Sequence, residues 1–283
     1  MKITKILAGI DFEKDTEKVL TYASYFAENF NASLDLLHVL DYLVTPPAYL
    51  IPYIEEEKRI VGQKFAALKK ELAGSGIRAE AEVIAGRLRE SFDMTIKNQS
   101  TDMLVLGFMS HVFRRSSSEK LIKGLRIPML VVRGDKAESA KIGSLKVRKI
   151  LCTTDFSEIS GKALNAAKEL AVKLSSQLEI VHVFPNYIFE QMKALKDRDG
   201  LLKELYNESK DTLEKFLHAS GLTVAGTMEE GEPDRRIVSF AKEKDFDLIV
   251  IGARGLGHIE GMLIGSVTDA VLKSAPCPVL VIH

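Results

Sequence analysis

Along the chain, short apolar runs rich in Val, Ile and Leu alternate with longer stretches in which apolar residues recur every three or four positions. The short runs predict buried strands and the longer ones amphipathic helices, and their alternation is the signature of a parallel sheet flanked by helices. In the second half the runs place strands near 148–153, 178–184, 222–227, 247–252 and 278–282, five to a domain. Val61, Phe65, Leu68 and Leu72 fall on one helical face, as do Leu164, Ala167, Leu170, Ala171 and Leu174. Stripes of this width are read as core, not as partner sites.

The pattern repeats. "KILAGIDF" from Lys5 returns as "KILCTTDF" from Lys149, and "ASLDLLHVL" as "SQLEIVHVF", which sets His38 opposite His182. One residue of slippage later, "STDMLVLG" ending at Gly107 matches "DFDLIVIG" ending at Gly252, and "IPMLVV" matches "CPVLVI". The chain therefore reads as two copies of one α/β unit, residues 1–134 and 147–283, joined by the polar, small-residue stretch "RGDKAESAKIGSLK". Such a composition is that of a linker.

Composition narrows the function. A chain of 283 residues with 46 % apolar and 28 % charged positions suits two globular domains. It has no apolar run near the roughly 18 residues of a membrane helix. "MKITKILAGIDF" turns acidic too early for a signal peptide, so a cytoplasmic location is expected. Lys plus Arg and Asp plus Glu balance at 39 each, which leaves no basic field for nucleic acid or anionic lipid. Cys152 and Cys277 lie in apolar runs and are expected to be buried reduced thiols.

The densest chemistry is in "IGARGLGHIEGMLIGSV", where Gly252, Gly255, Gly257, Gly261 and Gly265 crowd between the end of a strand and the start of a helix. Ligands bind at that place in open α/β sheets, and a helix N-terminus offers free N–H groups to phosphate. Glycine lets the backbone approach closely. The spacing is neither the Walker pattern nor GxGxxG. Each residue also has a plainer explanation: the glycines as a loop, Ser266 as an N-cap, Arg254 as a solvated side chain, and Asp155 as the cap of a helix beginning near Ser157.

The spacing Gly252-x2-Gly255-x9-Gly265-Ser266 resembles that of the ATP-binding branch of the universal stress protein family. The match extends to Asp155 in "LCTTDFS", Val183 in "VHVFP" and "GEPDRRIVSFA" from Gly231, and covers nearly the whole chain as two tandem domains. The resemblance implies two doubly wound, Rossmann-like domains of the adenine nucleotide alpha hydrolase type. It further implies a phosphate and ribose cradle from Gly252, Gly255, Gly265 and Ser266, and an adenine pocket bounded by Asp155 and Val183. Arg254 would supply charge, and Thr153 and Val267 complete the implied nucleotide site. The implied ligand is ATP or another adenine nucleotide, with Mg held by the phosphates and no metal ligands from the protein. Terminal strands pair across dimers in that family, so "PMLVV" and "PVLVI" are expected to pair within this chain as a pseudo-dimer, with a further homodimer left open.

The first copy departs from the motif. After Gly107 it runs "FMSHVFRRSSSEKLIKGLRIP", about five residues shorter, with Ser110 in place of the second glycine and Arg115-Ser116 in place of Gly-Ser. Its phosphate cradle is expected to be lost, with Arg114, Arg115 and the serines read as a solvated surface or as a residual anion site. Asp11 and Val39 persist. "DYLVTPPAYLIPYI", residues 41–54, reads as an unusually apolar loop, either a flap on its own domain or a surface for a partner or apolar ligand.

For catalysis the sequence offers little: no Walker lysine, no Gly-x-Ser-x-Gly elbow, and no paired ligand spacing among His38, His111, His182, His218, His258 and His283. Three functions stay open at this point. The first is an ATP-binding regulatory module of a stress response, with one nucleotide per chain. The second is a nucleotide-independent adaptor using the first copy, and the third a slow ATPase.

Overall fold

A computed structural model of the chain describes residues 1–42, 48–108, 117–138, 140–186, 198–221, 226–255 and 263–283. The first domain holds β1 (Lys5–Gly9), α1 (Thr16–Phe30), β2 (Ser33–Asp41), α2 (Ile51–Gly74), β3 (Ala79–Gly86), α3 (Leu88–Gln99), β4 (Met103–Gly107), α4 (Ser117–Ile122) and β5 (Met129–Val132). One turn, α5 (Asp135–Glu138), follows. The second domain holds β6 (Lys149–Thr153), α6 (Glu158–Leu174), β7 (Gln177–Phe184), α7 (Arg198–Ala219), β8 (Gly226–Glu230), α8 (Pro233–Glu243), β9 (Leu248–Gly252), α9 (Ser266–Ser274) and β10 (Val279–Ile282).

Within each domain all five strands are parallel, ordered β3-β2-β1-β4-β5 in the first and β8-β7-β6-β9-β10 in the second. The doubly wound α/β class expected from the sequence is the observed one. The order reverses between β1 and β4, and between β6 and β9, which sets the crevice for a ligand at the carboxyl ends of those pairs. The middles of the central strands are continuously apolar because both faces are covered: Ile150, Leu151, Cys152, Leu248, Ile249 and Val250 are fully buried.

Both copies fasten the first strand to the fourth by the same device. The Asp102 carboxylate accepts the N–H groups of Thr4 and Lys5 at 2.7 and 3.0 Å, and Asp247 accepts those of Arg148 and Lys149 at 2.8 and 3.0 Å. Both cysteines are buried and outside any disulfide, and burial pushes the Cys152 thiol up to about 12. Among the described residues no helix is long and apolar enough to cross a membrane.

Two expectations need correction. The third strand of the second copy, β8, runs on to Glu230, past the expected end at 227, while 222–225 lie outside the described residues. Its place is set by pairing with β7, Ile180 beside Gly226 through Phe184 beside Glu230, and not by β-branched content. The apolar stretch 41–54 is not all loop. Its residues 43–47 lie outside the described set, a turn of 3-10 helix occupies Ala48–Leu50, and α2 begins at Ile51 with Pro52 in its first turn. Proline suits that position because its missing N–H has no intrahelical partner there.

The segment read as a linker divides between the two compact units. Residues 134–136 belong to the compact unit of the second domain and 137–146 to that of the first. Gly134 has φ +80, and a Cβ there would fall 2.3 Å from the Pro276 carbonyl. Lys136 lies 2.9 Å from Asp245 and 3.0 Å from Asp247, while Glu138 lies 3.3 Å from Lys18.

Candidate nucleotide site

A cavity of about 480 Å³ opens at the carboxyl ends of β6 and β9, within the range of small-ligand pockets. Thr153, Asp155, Val183, Gly252, Arg254, Gly255, Gly265, Ser266 and Val267, the nine residues singled out from the sequence, all line it. Gly257 and Gly261 lie outside the described residues. The lining also includes Thr154, Phe156, Ser160, His182, Ile237 and Thr268, which motif reading did not select. The pairing of His38 with His182 in the repeat was a signal for one of them.

The glycines have separate reasons. At Gly255 a Cβ would fall 2.1 Å from Asp155 Oδ2, so the carboxylate already occupies that space. At Gly252 it would press on Ile159 Cγ2 at 3.0 Å. At Gly265 nothing stands closer than 3.5 Å, and the backbone, φ −77 and ψ 161, is one any residue adopts. Two glycines thus make room for the protein's own atoms; the fold itself does not require the third.

Gly265 is the N-cap of α9 and has no side-chain cap, so Ser266 is the first helical residue and not the cap. The first intrahelical bond is Asp269 N–H to the Gly265 carbonyl at 2.9 Å. The N–H groups of the turn before it have no intrahelical acceptor by helix geometry, and they sit at the positive end of the helix dipole, on the cavity wall. Thr268 turns its hydroxyl to the Gly252 carbonyl at 2.7 Å, tying the helix to the end of β9.

Asp155 does not cap α6. Ser157 does, accepting the Ser160 N–H at 3.2 Å, and the Asp155 Oδ1 accepts the Ser157 N–H and hydroxyl at 3.1 and 2.6 Å. Between them Phe156 has φ +68, a left-handed conformation that is costly for a bulky side chain. Its N–H bonds Thr154 Oγ1 at 3.0 Å, and its ring stacks on His182 with centroids 4.2 Å apart.

His182 Nδ1 lies 2.8 Å from the Thr154 carbonyl, which accepts its proton. Burial lowers the imidazole pKa from its ordinary 6.5, against smaller raising effects of that bond and of Asp155. With the folded value below the unfolded one, the contribution to stability is present in full above 6.5 and is lost as pH falls through the folded value. The thermal midpoint is therefore expected to decline with acidification below 6.5 and to decline less in His182→Asn. Equal slopes in the two proteins would remove His182 from this linkage.

The corresponding place in the first domain is much smaller, about 90 Å³, with Gly9, Asp11, Val39, Leu88, Phe92 and Leu106 in its wall. Phe92 stands where the second copy has Ile237, and Gly9 where it has Thr153. A Cβ at Gly9 would fall 2.6 Å from Leu106 and 3.1 Å from Phe92, so larger side chains have moved into the space. Asp41, 3.8 Å from Lys120, accepts the Leu88 N–H at 3.0 Å and so occupies the start of α3. Ser110, Arg114, Arg115 and Ser116 lie outside the described residues.

The family model for the universal stress proteins matches residues 2–133 and again residues 146–283. The chain belongs to the universal stress protein family. A tandem relationship runs through the whole length of a universal stress protein of Mycobacterium tuberculosis, 24 % identical over 293 residues, covering 98 % of this chain and 96 % of the relative. The universal stress protein YxiE of Bacillus subtilis is 32 % identical over 151 residues, 48 % of this chain and 98 % of its own. The crystal structure of a universal stress protein from Archaeoglobus fulgidus matches with a TM-score of 0.72 at 22 % identity, covering 100 % of this chain and 99 % of that one. That likeness bears on the fold.

Proposed function

We propose that this universal stress protein binds one adenine nucleotide per chain, ATP in the first instance, in its second domain, and that occupancy sets conformation or partner choice in a cytoplasmic stress response. The observation that carries the reading is the convergence of all nine candidate residues on one cavity of about 480 Å³ beside an uncapped helix N-terminus. Gly265 adds to it, because among the described residues a Cβ there would meet only ordinary contacts, at 3.5 Å and beyond. The first-turn N–H groups of α9, the Ser266 hydroxyl and Arg254 suit phosphate oxygens. The apolar walls at Val183 and Ile237 suit a base, and Asp155 suits ribose hydroxyls. Magnesium on this reading arrives with the phosphates.

One site per chain follows from the contrast between the domains: in the first, Phe92 and Leu106 crowd Gly9 and the cavity is about 90 Å³. Nucleotide-free protein titrated with ATP at physiological salt is expected to saturate near one equivalent, and mass spectrometry of freshly purified, denatured protein to release an adenine nucleotide. Saturation at two equivalents would put a working site in the first domain; no binding would sink the reading. The expected pseudo-dimer belongs to this proposal as well, β5 and β10 each being last in the order of its own domain's strands. A small-angle scattering profile of two separated bodies would count against it.

One observation favours the adaptor reading as a second function. Tyr49, Ile51 and Tyr53 are 73, 52 and 71 % exposed at the start of α2, so these side chains do not fold back as a flap. Phosphate release above background would instead favour slow ATP hydrolysis.

A further inference from the structure

Phe156 raises a question that the nucleotide motif does not answer. A bulky aromatic residue in the left-handed region is unfavourable by itself and persists only where its surroundings over-determine it. Here it separates Asp155 from Ser157, and the reversal it makes brings the Ser157 N–H and hydroxyl back onto Asp155 Oδ1 while Oδ2 packs against Gly255. An extended residue at 156 would carry Ser157 away and release the carboxylate. The conformation is anchored from β7 by His182, through the bond to the Thr154 carbonyl at 2.8 Å and the ring stack at 4.2 Å, with Phe216 of α7 edge-on to Phe156 at 5.8 Å. His182 is 9 % exposed, and β7 lies between two paired strands, so the anchor is rigid.

We propose that His182 is a positioning residue of the nucleotide site: through Thr154 and Phe156 it holds the turn after β6 in the conformation that keeps Asp155 against Gly255, ready for the ligand. This rests on the reading of the cavity as a nucleotide site. The duplication supplies an internal control. His38 Nδ1 lies 2.7 Å from the Ile10 carbonyl and Phe12 has φ +60, so the first domain keeps the same bond and the same left-handed aromatic residue beside a cavity of about 90 Å³. Its Phe12 and His38 rings are tilted at 50° and 5.6 Å apart, and Phe12 meets Phe65 edge-on as Phe156 meets Phe216. His38 thus has the fold role without the ligand role.

The test measures ATP affinity of the full, nucleotide-free chain by calorimetry, with thermal melting alongside. His182→Leu is expected to weaken ATP by roughly tenfold or more, the scale of one lost hydrogen bond. His182→Asn, whose amide can occupy the Nδ1 position as donor, is expected to bind within a few-fold of the parent. His38→Leu is expected to lower the melting temperature comparably and to leave ATP affinity unchanged. Where His182→Leu folds poorly, His182→Phe keeps the stack and loses the donor, with the same expectation. The decisive measurement is a double-mutant cycle: Asp155→Ala with His182→Leu should bind no more weakly than Asp155→Ala alone. Additive losses, or equal effects of His38→Leu and His182→Leu on affinity, overturn the positioning role while leaving the site standing. A parent chain that binds no adenine nucleotide overturns both.

Discussion

Gly265→Val is expected to abolish nucleotide binding while leaving the second domain folded. The two halves of that outcome rest on different observations. Folding should survive because the backbone at Gly265 is extended, a conformation β-branched residues favour, and among the described residues the new Cβ would meet only ordinary contacts, from 3.5 Å. Valine is a poorer N-cap than glycine, so a stability loss of about 1 kcal/mol is expected. Binding should fail because the added carbons stand at the mouth of α9, where phosphate oxygens would meet the free N–H groups. Charge-assisted hydrogen bonds are each worth about 1.5–3 kcal/mol, and losing a few together removes several decades of affinity. Circular dichroism and calorimetry on the same preparation check both halves. Undiminished affinity in the folded variant would take the phosphate role away from this helix.

Gly255→Ala should act by another route. Its Cβ would displace Asp155 Oδ2, the free end of a side chain that can rotate, so the cost to stability is small. Rotation breaks the bonds at 3.1 and 2.6 Å to Ser157 and turns the carboxylate from the cavity. An affinity loss of roughly ten- to a hundredfold is expected, the range for one or two hydrogen bonds to a charged group. Adding Asp155→Ala should cost nothing more. If the two losses sum, Gly255 meets the ligand itself and the packing against Asp155 is incidental.

These two glycines show what was legible in the sequence and what was not. Spacing was enough to bring Gly252, Gly255, Gly265, Ser266 and Arg254 to one wall, because a strand end and a helix start fix where such residues fall. The apolar runs marked the strands buried on both faces, and the repeat showed that one α/β unit occurs twice. Spacing did not tell that Gly255 yields to Asp155 and Gly252 to Ile159, since those are contacts between segments about a hundred residues apart. Nor did it mark Phe156, which has a positive φ beside the bonds of Thr154 to its own N–H and to His182. The end of β8 was set short because an edge strand of Gly, Thr, Met and Glu takes its position from its neighbour. The start of α2 was mistaken for loop because prolines and tyrosines disguised a first helical turn.

The stretch between the copies is held in place by ion pairs at both of its ends. A free tether of its length and composition would let two bodies tumble independently. This one is used up at both ends: after Arg133 the chain gives three residues to the second domain, returns ten to the first, and commits to the second only at Val147. Lys136 holds one part of the stretch to Asp245 and Asp247 of the second domain, and Glu138 holds another to Lys18 of the first. Raising the ionic strength, which loosens such pairs, should free the stretch from its own domains without altering a residue of it.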